Sequence, residues 1–278
     1  MRPAFSSESE ERVSRYFERF VDRSGSQLRH VLTHPRNTVA LLRTIRALPA
    51  VEVRLPGGPQ ADAIRAQLGR AWLRRGALAG ATSVLGLPER AEDYARGSSG
   101  SRYTLRKRSR AASELGVLVE RVDDAEARRA LCAVADAYER VNPRAASRNE
   151  AADNSDMMTH RFWFVARVDG RPVVLAVLPA EGEWAAMRYF RTLEESEVAT
   201  LARYLLMREI VTALVAHGVR AVVVGLGPHR MGNGVRQFQR MMGFRIVRLR
   251  VVRASPREVR RGTLLAAAVR PRWSARRS

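Results

Sequence analysis

The stretch Gly225-Leu226-Gly227-Pro228-His229-Arg230-Met231-Gly232-Asn233-Gly234 carries the densest set of groups able to do chemistry in this 278-residue chain. It follows the apolar run Ala221-Val222-Val223-Val224, which reads as a buried strand, and leads into a helical stretch from Asn233 to Met242. Gly232 and Gly234 permit close approach of the backbone to a ligand, and the helix N-terminus favours an anion. Arg230 and Arg236 are spaced to clamp a phosphate or carboxylate. The expected cofactor-binding residues are therefore Arg230, Gly232, Asn233, Gly234 and Arg236. The spacing is neither a dinucleotide fingerprint nor a P-loop, because no Gly-Lys-Ser/Thr occurs. An ordinary, well-capped turn would also satisfy it.

Three further residues can exchange protons in a group transfer. Glu183 and His229 are candidate bases, and Tyr189 is a candidate acid or hydrogen-bond donor. Backbone N–H groups along the segment from Trp184 to Thr192 could stabilise a developing oxyanion. No His-Glu-x-x-His and no Cys-x-x-Cys appears, so no metal site is expected. Cys132, the only cysteine, lies on an apolar helical face and reads as core.

These groups need elements to hold them, and the C-terminal half supplies a legible set. His160 to Val168 reads as a strand, Asp169-Gly170 as a hairpin turn and Pro172 to Leu178 as the return strand. Trp184 to Thr192 reads as a third strand, and Ser196 to His217 as a long helix closed by Gly218. The buried strand and short helix follow, then a strand from Phe244 to Arg253 and a possible last one from Leu264 to Val269. Upstream, Val117 to Val122 reads as a strand and Ala125 to Arg140 as a helix capped by Asp123-Asp124. The N-terminal part mixes helices (Ser7 to Arg23, Asn37 to Leu48, Gln60 to Arg75) with short strands (Val51 to Leu55, Thr82 to Leu87). Gly97-Ser98-Ser99-Gly100-Ser101 reads as a linker. It divides the chain into residues 1–100, a helical and α/β half, and residues 101–278.

Net charge is +21, and Lys107 is the one lysine among 49 basic residues. Such a surface attracts phosphates, in nucleic acid, coenzyme A or lipid. Arg102, Arg106 and Arg110 would share one face of a helix following the linker, a stripe suited to a nucleic-acid backbone or simply to solvent. No run of roughly 20 apolar residues occurs, so no membrane span is expected. The N-terminus has no apolar signal region, and a cytoplasmic location is expected.

The order strand, hairpin, strand, strand, long helix, buried strand, short helix, strand resembles the core of the GNAT acyltransferase superfamily. Gly218-Val219-Arg220-Ala221-Val222-Val223-Val224 looks like the approach to that fold's central strand. Phe238-Gln239-Arg240-Met241-Met242-Gly243-Phe244 looks like its late helix. The resemblance runs from about Val117 to Val252 and implies an α/β fold, a mixed sheet flanked by helices, whose central strands splay around the donor. Members that use acetyl-CoA hold its pyrophosphate on a Gly-rich loop before the long helix. Here that position reads Leu193-Glu194-Glu195-Ser196-Glu197-Val198, whose carboxylates would repel it. A branch without the loop, resembling the Fem-type transferases, takes amino acids from charged tRNA and sets two GNAT-like halves in tandem, which makes residues 1–100 a candidate reduced copy. The function implied is an N-acyltransferase using acetyl-CoA or another acyl-CoA. The alternatives are an aminoacyl-tRNA-dependent transferase and a non-catalytic basic module that binds tRNA or another nucleic acid. The breadth of the superfamily favours the thioester; the charge favours tRNA.

Overall fold

A computed structural model describes residues 13, 35–73, 81–96, 99–142, 149–225 and 232–253. The helices are α1 (Pro35–Ala47), α2 (Pro59–Leu73), α3 (Glu92–Ala95), α4 (Gly100–Glu114), α5 (Ala125–Arg140), α6 (Glu197–Ala216) and α7 (Asn233–Met242). The strands are β1 (Ala50–Leu55), β2 (Ala81–Gly86), β3 (Leu118–Arg121), β4 (Phe162–Val168), β5 (Arg171–Leu178), β6 (Ala180–Glu181), β7 (Trp184–Met187), β8 (Tyr189–Thr192), β9 (Ala221–Val224) and β10 (Arg245–Arg253). The expected Ser7 to Arg23 helix, apart from Val13, and the Leu264 to Val269 strand lie outside the described residues.

Two sheets form, in the orders β3-β4-β5-β8 and β1-β10-β2-β9-β7-β6. The segment expected as one strand from Trp184 to Thr192 is divided between them. Residues 184–187 run parallel to β9, with Met187 opposite Val224. At Arg188 the chain changes partner: its N–H donates to the Val177 carbonyl at 3.0 Å, and Tyr189 to Thr192 pair with β5. The two sheets therefore part at Arg188, and β8 diverges from the end of β9. This is the mixed sheet flanked by helices that the GNAT resemblance implied.

Chain order and the GNAT resemblance place the central strand, Val222 to Gly225, between the strands around Trp184 to Thr192 and Arg245 to Val252. Instead of standing beside the Arg245 to Val252 strand, β9 pairs with β2 on that side, and β10 lies beyond β2. The reason is burial. Val222 and Val223 are fully buried in cores on opposite faces of the sheet, so β9 needs neighbours covered on both faces. In β2, Leu85 enters one of those cores and Val84 the other. β10 alternates arginines with Val247 and Leu249, and leaves Arg250 exposed. Such a strand suits a place nearer the edge, between β2 and the outer strand β1. β1 and β2 therefore sit in one sheet with β9 and β10.

The long helix α6 is apolar on most sides because it is enclosed. Ala202, Leu206, Met207, Ile210, Val211 and Leu214 are all buried, and α4 packs against it through Leu105 and Ala112. Helix α4 begins at Gly100, so Gly100 and Ser101 belong to the helix rather than to the linker read from their composition. The caps follow local chemistry. The Asp124 carboxylate accepts from the Ala127 N–H at 2.7 Å, and Gly243 ends α7 at a φ of 91°, where a side chain would be strained.

Candidate functional site

Where β8 leaves β9, a cavity of about 840 Å³ opens. Met187, Arg188, Tyr189, Phe190 and Arg191 form one wall, with Val224 and Gly225 opposite. Helix α7 contributes Val235, Phe238 and Gln239, and the N-terminal helix α2 contributes Asp62, Ala63, Ala66 and Gln67. The end of α5 and the 149–160 segment complete it with Glu139, Asp153, Asn154, Asp156 and His160. Its volume lies in the range of small-molecule sites.

Two glutamines of α2 fix the hinge of the sheets. The Gln67 amide donates to the Met187 carbonyl at 2.5 Å, at the last residue before the strand changes partner. The Gln60 amide donates to the Thr159 carbonyl at 2.5 Å, and its oxygen accepts from Arg161 N–H at 3.1 Å and from Ala180 N–H at 3.4 Å. The Gln67 carbonyl oxygen is buried and makes no hydrogen bond.

The charged groups are unevenly distributed. Among the described lining residues, Asp62, Glu139, Asp153 and Asp156 supply four carboxylates and Arg188 and Arg191 two guanidiniums, while Asp62 is paired with Arg65 of the same helix at 2.5 Å. Arg188 holds Asp156 through two hydrogen bonds of 2.9 and 2.8 Å. Burial works against the Arg188 charge, but the Asp156 carboxylate outweighs it and raises the guanidinium pKa. Glu139 is buried and ion-paired with the more exposed Arg191 at 3.6 Å. Burial pushes the His160 pKa down to about 4, against the opposing pull of Asp156, so its imidazole is neutral at pH 7. The Tyr189 hydroxyl is buried beside the Glu139 carboxylate. Its pKa is raised by burial and then by the Glu139 charge, so it keeps its proton at neutral pH.

Of the residues the sequence singled out, Tyr189 lines this cavity and Glu183 does not. Glu183 precedes β7 at the end away from Arg188, where its carbonyl accepts from the N–H groups of Arg220 and Ala221. His229 and Arg230 lie outside the described residues. Asn233 opens α7, Gly232 and Gly234 are exposed, and Arg236 is buried on that helix; Gly232, Gly234 and Arg236 do not line the cavity. Sequence reasoning missed Gln60, Gln67, Glu139, Asp156 and His160. They come from separate segments, and nothing in their local spacing links them.

The resemblance implies a pyrophosphate at the N-terminus of the long helix, and the residues there do not fit one. The Ser196 hydroxyl accepts from Ala199 N–H at 3.0 Å, capping α6, and donates to the Glu194 carboxylate at 2.5 Å. Glu194 also lies 3.5 Å from Arg171, and Glu197 opens the first turn. The helix end presents carboxylates where a pyrophosphate needs uncommitted N–H groups. Among the described residues, no group of three or more His, Cys, Asp or Glu is arranged to hold a metal, and no helix is long and apolar enough to cross a membrane.

No protein-family model matches this chain, and no curated protein matches it. Similar solved structures include FemX, at 11% identity and a TM-score of 0.48 over 60% of this chain and 59% of that one. L-PGS from Bacillus licheniformis is similar at 14% identity and a TM-score of 0.45, over 67% of this chain and 64% of that one. A GCN5-related N-acetyltransferase from Kribbella flavida is similar at 15% identity and a TM-score of 0.34, over 69% of this chain and 76% of that one. The chain thus spans less than two thirds of the length of FemX and of L-PGS. The strand order, the parting at Arg188 and the long helix between β8 and β9 make this a divergent GNAT-like fold.

Proposed function

We propose that the protein is a transferase that passes an acyl group to an amine inside the cavity between β8 and β9, and that the donor is a charged tRNA. The observation that carries the choice of donor is the α6 N-terminus, where Ser196 caps the helix and the Glu194 and Glu197 carboxylates stand where a pyrophosphate would have to lie. An acyl-CoA is the alternative donor, and the GNAT-like fold is its support. The net charge of +21 favours a polyanionic donor held over a wide surface. In this reading residues 1–100 serve residues 101–278 by bringing Gln60 and Gln67 to the hinge, and the reaction takes place in the cytoplasm, where charged tRNA is available.

The chemistry asked of the chain is modest. The amine nitrogen bonds to the carbonyl carbon, the ester C–O bond breaks, and the amine proton ends on the departing oxygen. Tyr189 is suited to relay that proton. Its hydroxyl is buried, protonated and backed by the Glu139 carboxylate, so it gives a proton to the departing oxygen and takes one from the amine. The cavity supplies orientation, which can itself provide much of the acceleration.

The test measures binding and transfer with bulk aminoacyl-tRNA and with acetyl-CoA, at two salt concentrations. The expected result is salt-dependent tRNA binding, loss of the aminoacyl group when an amine is present, and no measurable acetyl-CoA binding. Tight acetyl-CoA binding with no response to tRNA would return the thioester as donor. No response to either would leave a non-catalytic basic module.

A further inference from the structure

Successive residues of a strand point to opposite faces, and β8 divides the cavity in this way. Tyr189 packs in the core beside α5, while Phe190 packs against the core shared by α6 and α7. On the Tyr189 side the charged groups satisfy one another. Glu139 pairs with Arg191, Asp156 with Arg188, and Asp62 with Arg65. The Phe190 side is a different surface, lined by the uncharged Met187, Phe190, Met207, Val224, Val235 and Phe238. The Phe190 and Phe238 rings stack at 5.6 Å, and the Tyr204 ring meets Phe238 edge-on at 5.2 Å, so the wall is fixed. It is not covered, however: Phe190 is half-buried and Val235 is 45% exposed. Apolar surface left open in a concave lining gains by taking an apolar group out of water.

A second observation is independent of this wall. Gln67 lines the same cavity, and its carbonyl oxygen is buried without a hydrogen bond. The amide cannot turn away, because its nitrogen donates to the Met187 carbonyl and Gly225 packs against its Cγ. Met187 joins the two features, since its side chain lines the apolar lobe and its backbone holds the Gln67 amide. A buried acceptor of this kind is completed by an N–H donor from a ligand.

We propose that the apolar lobe is the specificity pocket for the group being transferred, and that this group is an α-aminoacyl group with a large apolar side chain, such as that of leucine, whose α-amino N–H is received by the Gln67 carbonyl oxygen. Such a group carries apolar bulk and an N–H donor side by side. A charged side chain would leave water for a surface that offers it no partner. A plain alkyl acyl group would leave Gln67 unpaired. The inference rests on the transferase reading only in calling this ligand the transferred group.

Three amides test it in the full-length protein. L-Leucinamide against L-alaninamide reads the side chain, and L-leucinamide against 4-methylpentanamide reads the α-amino group. Binding is followed by the methyl NMR signals of Met187 and Met207. L-Leucinamide is expected to bind about tenfold or more tighter than L-alaninamide and to shift both methyls, since each buried methylene is worth about fourfold. Its α-amino group is expected to add about fivefold over 4-methylpentanamide. Val235→Glu, at an exposed position of α7, should lower the leucine preference about threefold or more. Gln67→Met should erase the contribution of the amino group and keep the side-chain preference. If Gln67→Met does not fold, Val235→Glu and the three probes on the unmodified protein decide. Equal binding of L-leucinamide and L-alaninamide overturns the pocket, as does a preference that leaves the methyls unmoved or survives Val235→Glu. Equal binding of L-leucinamide and 4-methylpentanamide overturns the aminoacyl assignment. A leucine preference with no transfer from bulk tRNA charged with leucine keeps the pocket and removes the transferase reading. Transfer without the preference does the reverse.

Discussion

Gln67 of α2 and Met187 at the end of β7 are 120 positions apart and joined by a 2.5 Å hydrogen bond at the point where the two sheets part. Gly225, at the end of β9, is built to the same contact. A Cβ there would lie 2.8 Å from the Gln67 Cγ. The N-terminal helix thus stops the opening between β8 and β9 at one end, and a missing side chain at Gly225 makes room for it. Gln67→Ala is expected to cost about 1–3 kcal/mol, because the Met187 carbonyl loses its donor. Gly225→Ala is expected to cost a similar amount, about 1–3 kcal/mol, by overpacking. The double variant should be less destabilised than the sum, since Gln67→Ala removes the Cγ that the new methyl at position 225 would meet. Urea unfolding of the four proteins checks this, and strict additivity contradicts the shared contact.

Tyr189→Phe separates chemistry from stability. The hydroxyl's partner, the Glu139 carboxylate, keeps its ion pair with Arg191, so the variant should lose only about 1 kcal/mol and the melting temperature should fall slightly. Transfer should fall by about two to four orders of magnitude if the proton passes through this hydroxyl. A large loss of melting temperature alongside the loss of activity would give Tyr189 a structural role only.

Acid should weaken the fold through His160. Its folded pKa is about 4, below the ordinary histidine value of 6.5. Between these values the unfolded chain binds more protons than the folded one, so stability falls as the pH drops from 6.5 towards 4. The full loss is on the order of 3 kcal/mol. His160→Gln should flatten that part of the stability profile, measured by denaturant midpoints across roughly pH 4 to 7. An unchanged slope would place the acid sensitivity elsewhere.

Helix α4 separates structural from surface arginines. Arg102 lies over the Tyr94 ring at 4.8 Å, and Arg108 lies over the Tyr204 ring and donates to its hydroxyl. Tyr103, Arg106, Lys107 and Arg110 form the exposed stripe instead. Lys107→Glu and Arg110→Glu should weaken tRNA binding without changing the melting temperature, and each should lower the slope of log affinity against log salt by about 1. Arg108→Ala should lower the melting temperature with a smaller effect on that slope. Equal effects of all three on tRNA binding would remove the stripe from the interface.

The sequence determined the elements wherever local pattern and local capping agree. The α7 bounds, Asn233 to Met242, follow from its periodicity and the Gly243 stop, and the α5 bounds from the Asp124 cap. The GNAT-like order of strands and helices was legible for the same reason, since each element carries its own period and its own punctuation. What the tertiary structure decided is who stands beside whom. β2 entered the sheet between β9 and β10 because Val222 and Val223 require burial on both faces, a demand that no local window expresses. The strand from Trp184 to Thr192 reads as continuous, yet it breaks at Arg188 because its two halves meet different partners. The cavity follows from that break. Its wall joins Gln67, Glu139, Asp156, His160 and Tyr189 across more than a hundred positions, so only folding brings their charges and polar groups together.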